Sequence, residues 1–176
     1  MTSGDPPDRE RLLQAERDIR ARLGDRPLDF VSMQAIANVY RAATAVRRTA
    51  ERELLTEAGL SWGGFTILWV LWVWGEMETA RLATECDLAK GTLTGMLNTL
   101  ERQELVTRTR LQSDRRRVMV SMTPQGLAAI EELFPRFNGI EQKMTVGLTV
   151  RQKQDLAALL RMVITNAQDG AGEAGT

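Results

Sequence analysis

Apolar positions recur at steps of three and four along most of this chain, and at steps of two along one short stretch. Leu12, Ala15, Ile19 and Leu23 form a stripe in a charged segment, which predicts a helix over residues 8–23 that ends at Gly24. Pro27 then opens a longer helix, roughly Leu28 to Ala58, with Phe30, Met33, Ile36/Ala37, Tyr40 and Ala43/Thr44 at helical spacing and Gly59 as its stop. Ser61 caps a helix that runs through Trp74 and stops at Gly75. Thr79 is positioned to cap a short helix from Ala80 to Cys86, and residues 90–103 read as another, with Leu93, Met96/Leu97 and Leu100 facing inward. Thr123-Pro124 couples a capping hydroxyl to a proline at the first helical position, and Leu127, Ile130, Leu133/Phe134, Phe137, Ile140 and Met144 continue that helix. Thr149 and Gln152 fit a capping box for a last helix striped by Leu156, Leu159/Leu160 and Val163/Ile164.

The step of two appears between Leu105 and Gly126, LVTRTRLQSDRRRVMVSMTPQG. Leu105, Thr107, Thr109 and Leu111 alternate with Val106, Arg108 and Arg110, and Val118, Val120 and Met122 alternate likewise. Period-two patterning on both sides of a polar turn predicts a β-hairpin. Its tip, Ser113-Asp114-Arg115-Arg116-Arg117, sets three consecutive cations beside one acid.

Composition narrows the classes. At 176 residues and 43% hydrophobic, the chain is sized for one compact domain or two small ones. Its net charge is zero, yet Arg102 to Arg117 holds six arginines against Glu104 and Asp114, a local net of +4. Without histidine, and with Cys86 as its one cysteine, the chain has no internal disulfide framework and lacks the usual zinc ligands, so no metal or cofactor is expected. The start, MTSGDPPDRE, lacks the apolar core of a signal peptide, which favours a cytoplasmic protein. The run from Phe65 to Trp74, FTILWVLWVW, is too short to span a bilayer and reads as a buried helix. Residues 1–7 and 169–176, rich in Gly, Pro and Ala, are expected to be unstructured tails.

The segment RLATECDLAKGTLTGMLNTLERQELV has the anatomy of a helix-turn-helix. Leu82 and Ala83 pack the first helix on the second, Cys86 and Leu88 flank the turn, and Asp87 stands where the backbone needs a left-handed residue. The second helix exposes Lys90, Thr92, Thr94, Gly95 and Asn98, groups suited to phosphates, base edges and thymine methyls. Alone, this fits two packed helices with a solvated face equally well. Followed by a basic hairpin, it becomes a winged helix-turn-helix that binds double-stranded DNA through Lys90, Thr92, Thr94, Asn98, Arg108, Arg110, Asp114, Arg115, Arg116 and Arg117.

From about Leu28 onward the chain resembles the multiple antibiotic resistance regulators, the MarR family. In SDRRRVMVSMTPQG, Asp114 and Arg116 fall on the Asp and Arg of that family's wing signature, and Thr123 and Gly126 on its Thr and Gly. The resemblance implies a mainly α fold with a small β-hairpin wing, a winged helix-turn-helix flanked by long dimerisation helices. It implies that Arg116 enters a minor groove, where negative potential concentrates, while Asp114 orients it. Arg115 and Arg117 then serve as phosphate contacts. It also implies a homodimer, whose two recognition helices meet successive major grooves of a palindromic operator about 34–36 Å apart. An ordinary monomeric helical core is the alternative. Departures are Ala89, where a Ser or Thr cap is usual, Gly95, where many relatives carry an arginine, and Glu104, where glycine is usual.

All four tryptophans lie between positions 62 and 74, and Trp62, Phe65, Trp69 and Trp72 share one helix face. The resemblance implies a pocket for a small aromatic acid or phenolic effector here, with Tyr40, Thr44 and Arg47 of the preceding helix as polar partners. The tryptophans could instead fill a dimer core. The extra helix over residues 8–23 is similar to one in a urate-responsive branch, but it lacks that branch's tryptophan, so urate is not carried over. Cys86 reads as a structural thiol, not a redox sensor. The expected organisation is a tail and extra helix over residues 1–26, a first helical dimerisation part with the aromatic helix over 27–75, the winged domain over 76–122, C-terminal dimerisation helices over 123–168, and a tail over 169–176. The functional expectation is a DNA-binding transcriptional repressor, not an enzyme, released from DNA by its effector. A ligand-independent DNA-architectural protein and a helical protein-interaction module are the alternatives.

Overall fold

The computed structural model describes residues 13–173 except Ser113 and Arg115. Its contacts divide the chain into two compact units, one ending at Ala45 and the other beginning at Val46.

In the first unit, α1 (Gln14–Leu23) starts where the Glu16 carboxylate accepts the Leu13 N–H at 2.6 Å. Glu16 is buried, and Asn38 Nδ2 donates to it at 2.8 Å, so a carboxylate taken from water keeps two donors. Those two hydrogen bonds, Asn38 first, hold its pKa below the ordinary value. The expected helix over residues 8–23 is thus seen from Gln14, and its first part, with Leu12, lies outside the described residues. Gly24 follows at φ −57°, so it ends α1 without a left-handed turn.

α2 (Phe30–Ala50) does not open at Pro27. Asp29 caps it: Oδ1 accepts from the N–H groups of Val31 and Ser32, both at 3.0 Å. Nor is it a regular helix to Ala58, because Glu51–Leu55 forms a π turn closed by Thr56 N–H on the Glu51 carbonyl at 3.0 Å. The wider turn brings consecutive Leu54 and Leu55 into full burial together.

The second unit is built around α3 (Trp62–Trp74), whose Phe65, Ile67, Leu68, Val70 and Leu71 are all buried. Ser61 Oγ accepts from Gly64 N–H at 3.1 Å to start it. Gly75 ends it at φ 75°, a conformation that costs an L side chain about 1–2 kcal/mol. Next come β1 (Met77–Glu78), α4 (Thr79–Glu85), α5 (Lys90–Arg102), β2 (Val106–Arg110), β3 (Val118–Met122), α6 (Pro124–Met144) and α7 (Val150–Glu173). Thr79 is the first residue of α4 and not its cap.

The hairpin pairs Val106 with Met122 and Arg110 with Val118. β1 adds a third antiparallel strand outside β3, Met77 opposite Val120, giving the order β1-β3-β2. Two residues are too few to show alternation, so this strand is invisible in the sequence. Leu82 of α4 and Leu93, Leu97 and Leu100 of α5 close over Val106 and Val120, which fixes the hairpin against the helices.

Thr123 Oγ1 both accepts from Gly126 N–H at 2.9 Å and donates to the Glu104 carbonyl at 2.6 Å, tying the start of α6 to the start of the hairpin. A Cβ on Gly126 would overlap the Leu105 carbonyl oxygen, so glycine is required by contact. Pro135 lies inside α6 and removes one backbone hydrogen bond from it. The Thr149–Gln152 capping box forms, with reciprocal bonds of 2.9 and 3.2 Å. α7 continues to Glu173, so residues 169–173, expected in a tail, are helical; residues 174–176 lie outside the described residues.

Candidate nucleic-acid interface and aromatic cavity

The turn between α4 and α5 is made by Asp87 at φ 51°, with Leu88 N–H on the Ala83 carbonyl at 2.9 Å. Ala89 precedes α5 in extended conformation and offers no side-chain cap. The first-turn N–H groups of α5 are therefore left for water or a phosphate oxygen. Lys90, Thr92, Thr94 and Asn98 are all exposed along the helix. The Thr94 hydroxyl donates back to the Lys90 carbonyl at 2.8 Å, which leaves its oxygen as an acceptor and its methyl free for apolar contact.

The arginines of the hairpin fall into two groups. Arg108 is ion-paired with Glu101 and also donates to Asn98 Oδ1 at 2.6 Å, bracing the hairpin on α5. Glu101 additionally accepts the Arg108 backbone N–H at 3.1 Å, and the Arg108 guanidinium holds its carboxyl below the usual carboxylate range. Arg117 is ion-paired with Glu78 on β1, and that bond likewise lowers the Glu78 pKa. Arg110 and Arg116 are exposed, and among the described residues the Arg116 guanidinium has no acid partner. Asp114 Oδ1 accepts the Arg116 backbone N–H at 3.0 Å, so the aspartate fixes the turn that carries Arg116 and does not grip its guanidinium. Arg115 lies outside the described residues. Glu101, just before the arginine-rich segment, and the distant Glu78 bring its local charge of +4 to +2.

Between α5 and the hairpin runs a groove of about 360 Å³ on which Lys90, Thr94, Arg108 and Arg116 converge. Thr92 lies away from it, lining a second hollow of about 500 Å³ with Gly91 and Gly95. The first groove is cationic, with the Arg116 guanidinium, which has no acid partner among the described residues, at its hairpin edge and a helix start at its other edge. Such an arrangement fits a phosphate backbone and the groove beside it.

A separate cavity of about 270 Å³ lies between α3 and α6. Trp62, Phe65 and Trp69 line it from α3, joined by Phe134, Phe137 and Glu141 from α6, which the sequence reading did not single out. The Phe65 and Phe137 rings meet tilted at 54°, 5.1 Å between centroids, and Trp62 stands 5.9 Å from Phe137. Thr66 also lines the cavity, but its hydroxyl donates to the Trp62 carbonyl at 2.9 Å. Trp72 instead packs on Phe134 at 5.2 Å and does not line the cavity. Of the polar residues expected here, Arg47 is exposed on α2 and does not line it. Tyr40 and Thr44 belong to the first unit, where Tyr40 is exposed and Thr44 half-buried. The Cys86 thiol is half-buried, and burial, with Glu85 adding to it, pushes its pKa up to about 11.

The MarR family profile matches residues 60–118, from just before α3 to the first residue of β3. The solved structure of AbsC, a MarR family transcriptional regulator from Streptomyces coelicolor, superposes with a TM-score of 0.72 at 21% identity, over 82% of this chain and 99% of that one. BpsR of Bordetella bronchiseptica, whose DNA binding is regulated by 6-hydroxynicotinic acid, gives 0.68 at 24% identity, over 74% of this chain and 98% of that one. Both show the same fold. The HTH-type transcriptional regulator YwaE of Bacillus subtilis (strain 168) is 36% identical over 160 residues, covering 89% of this chain and 94% of that protein. With its winged helix-turn-helix in place and that identity running nearly end to end, the chain belongs to the MarR family of transcriptional regulators.

Proposed function

We propose that the protein is a homodimeric repressor that sets α5 in a major groove of double-stranded DNA and Arg116 in the adjacent minor groove. The observation that carries this reading is the exposed Arg116, without an acid partner among the described residues, at the edge of the groove it shares with Lys90 and Thr94. Lys90, Thr92, Thr94 and Asn98 meet bases and phosphates from α5, and Arg110 adds a phosphate contact. Dimerisation is supported by α7, where Leu156, Leu159, Met162, Val163 and Ile164 are exposed in the single chain, an apolar surface that asks for a partner. The aromatic cavity is the effector site, and its occupation lowers operator affinity by favouring a DNA-incompetent arrangement. The protein acts by binding and not by catalysis. Its place is the cytoplasm, with DNA; among the described residues no helix is long and apolar enough to cross a membrane.

Capturing genomic DNA fragments on the purified protein tests this reading. The bound fragments should share an inverted repeat with half-sites about one helical turn apart. Arg116→Ala should then weaken binding about five- to hundredfold and flatten its salt dependence. Unchanged affinity and salt slope in a folded, dimeric variant would overturn the wing assignment. A cavity ligand that leaves DNA affinity untouched would favour a ligand-independent architectural role.

A further inference from the structure

We propose that the aromatic cavity takes a lipophilic organic cation, such as an aryl-substituted quaternary ammonium, and not an aromatic acid. The inference rests on the cavity being the effector site and names what enters it. Five rings, from Trp62, Phe65, Trp69, Phe134 and Phe137, form its lining, and Glu141 is the one charged residue among them. Ring faces carry negative potential, so they attract a cation and repel a carboxylate. Phe65 and Phe137 are 3% and 8% exposed, so these two rings are screened by water less than the half-buried Trp62, Trp69 and Phe134.

The Glu141 carboxylate stands exposed at the cavity's rim, where its Oε2 accepts from Asn138 Nδ2 at 2.8 Å. Among the described residues neither lysine nor arginine lines the cavity, and the hydroxyl of Thr66 is committed to its own helix. An entering carboxylate would therefore lose its water, find no cation among the described lining residues, have only the neutral indole N–H groups of Trp62 and Trp69 to turn to, and face Glu141. An ammonium would meet rings and a counter-charge instead. The cavity's roughly 270 Å³ is at the small end for a ligand site, which suits a single aryl ring bearing a trimethylammonium group.

The full-length protein can be titrated with benzyltrimethylammonium, with its neutral carbon isostere neopentylbenzene, and with benzoate, by calorimetry and by the fluorescence of Trp62 and Trp69. The cation should bind about tenfold or more tightly than either of the others. Glu141→Gln, an exposed isosteric change, should weaken the cation about two- to fivefold and leave the neutral ligand unaffected. Trp69→Leu should weaken the cation more than the neutral ligand, a difference that a purely packing role would not give. Benzoate binding more tightly than the cation, or equal binding of the cation and its isostere, would overturn the charge assignment while leaving the cavity as an effector site. Binding of none of the three would overturn both.

Discussion

Glu78 restrains Arg117, and releasing it should strengthen DNA binding. The two residues are separated by 39 positions and meet because β1 lies beside β3 in the sheet. Glu78→Gln preserves shape but removes the negative charge and frees one guanidinium near the tip of the hairpin. Each added phosphate contact steepens the dependence of log affinity on log salt by about 0.9. If the freed Arg117 makes one such contact, the slope steepens by that amount. Relative to binding at about 1 M salt, the affinity gain is about eightfold at 0.1 M and about fivefold at 0.15 M. Fluorescence anisotropy on a mixed-sequence duplex, at salt between about 0.05 and 0.2 M, reads both quantities. The Arg117 guanidinium lowers the Glu78 pKa, so the pair's contribution to stability is present above the unfolded carboxylate value of about 4.3 and is lost as pH falls through the lower folded value. The wild type should therefore approach the variant only in acid below the usual carboxylate range. Weaker binding by a folded Glu78→Gln protein, or an unchanged slope, would refute the reasoning and make the pair a strut that orients the hairpin.

Three further substitutions or modifications read other parts of the structure. Glu104 sits at φ 59°, so Glu104→Gly should raise stability by about 0.5–1 kcal/mol, the left-handed penalty less the extra unfolded-state freedom of glycine; an unchanged urea midpoint would show that the site carries no such strain. Gly126→Ala should cost about 3 kcal/mol, because the overlapping Leu105 carbonyl is backbone and cannot rotate away; a loss under about 1 kcal/mol in chemical denaturation would contradict this. Cys86, with its thiol pKa pushed up to about 11, should react slowly with maleimide at neutral pH, its rate rising about tenfold per pH unit; a plateau near pH 8.5 would sink that assignment.

Helix starts were legible where a side chain does the capping in the expected place, as at Ser61, Thr123 and the Thr149–Gln152 box. At α2 two signals competed: Pro27 has the right φ for a first turn, but the Asp29 carboxylate reaches the free N–H groups and sets the start. The π turn at Glu51–Leu55 left no mark, since a single widened turn does not alter the apolar spacing enough to notice. The left-handed turn at Asp87 was legible because few side chains tolerate that backbone. In the site, the sequence identified a cluster of arginines but not which of them are neutralised. That depends on Glu78 and Glu101, brought near by pairing across β3 and by α5 lying on the hairpin. The cavity was half legible: the α3 rings are dense enough to stand out, whereas Phe134 and Phe137 passed as ordinary members of an apolar stripe.

Pro135 has a mechanical consequence. It lies between the two phenylalanines that α6 contributes to the cavity, and its missing amide leaves that level of the 21-residue helix one backbone hydrogen bond short. The first segment of α6 is moored through Thr123 to the root of the hairpin, while the second carries Glu141 at the cavity's edge. A wedge between α3 and α6 acts there on a jointed rod, not a stiff one, and the joint determines how much of the push reaches the wing.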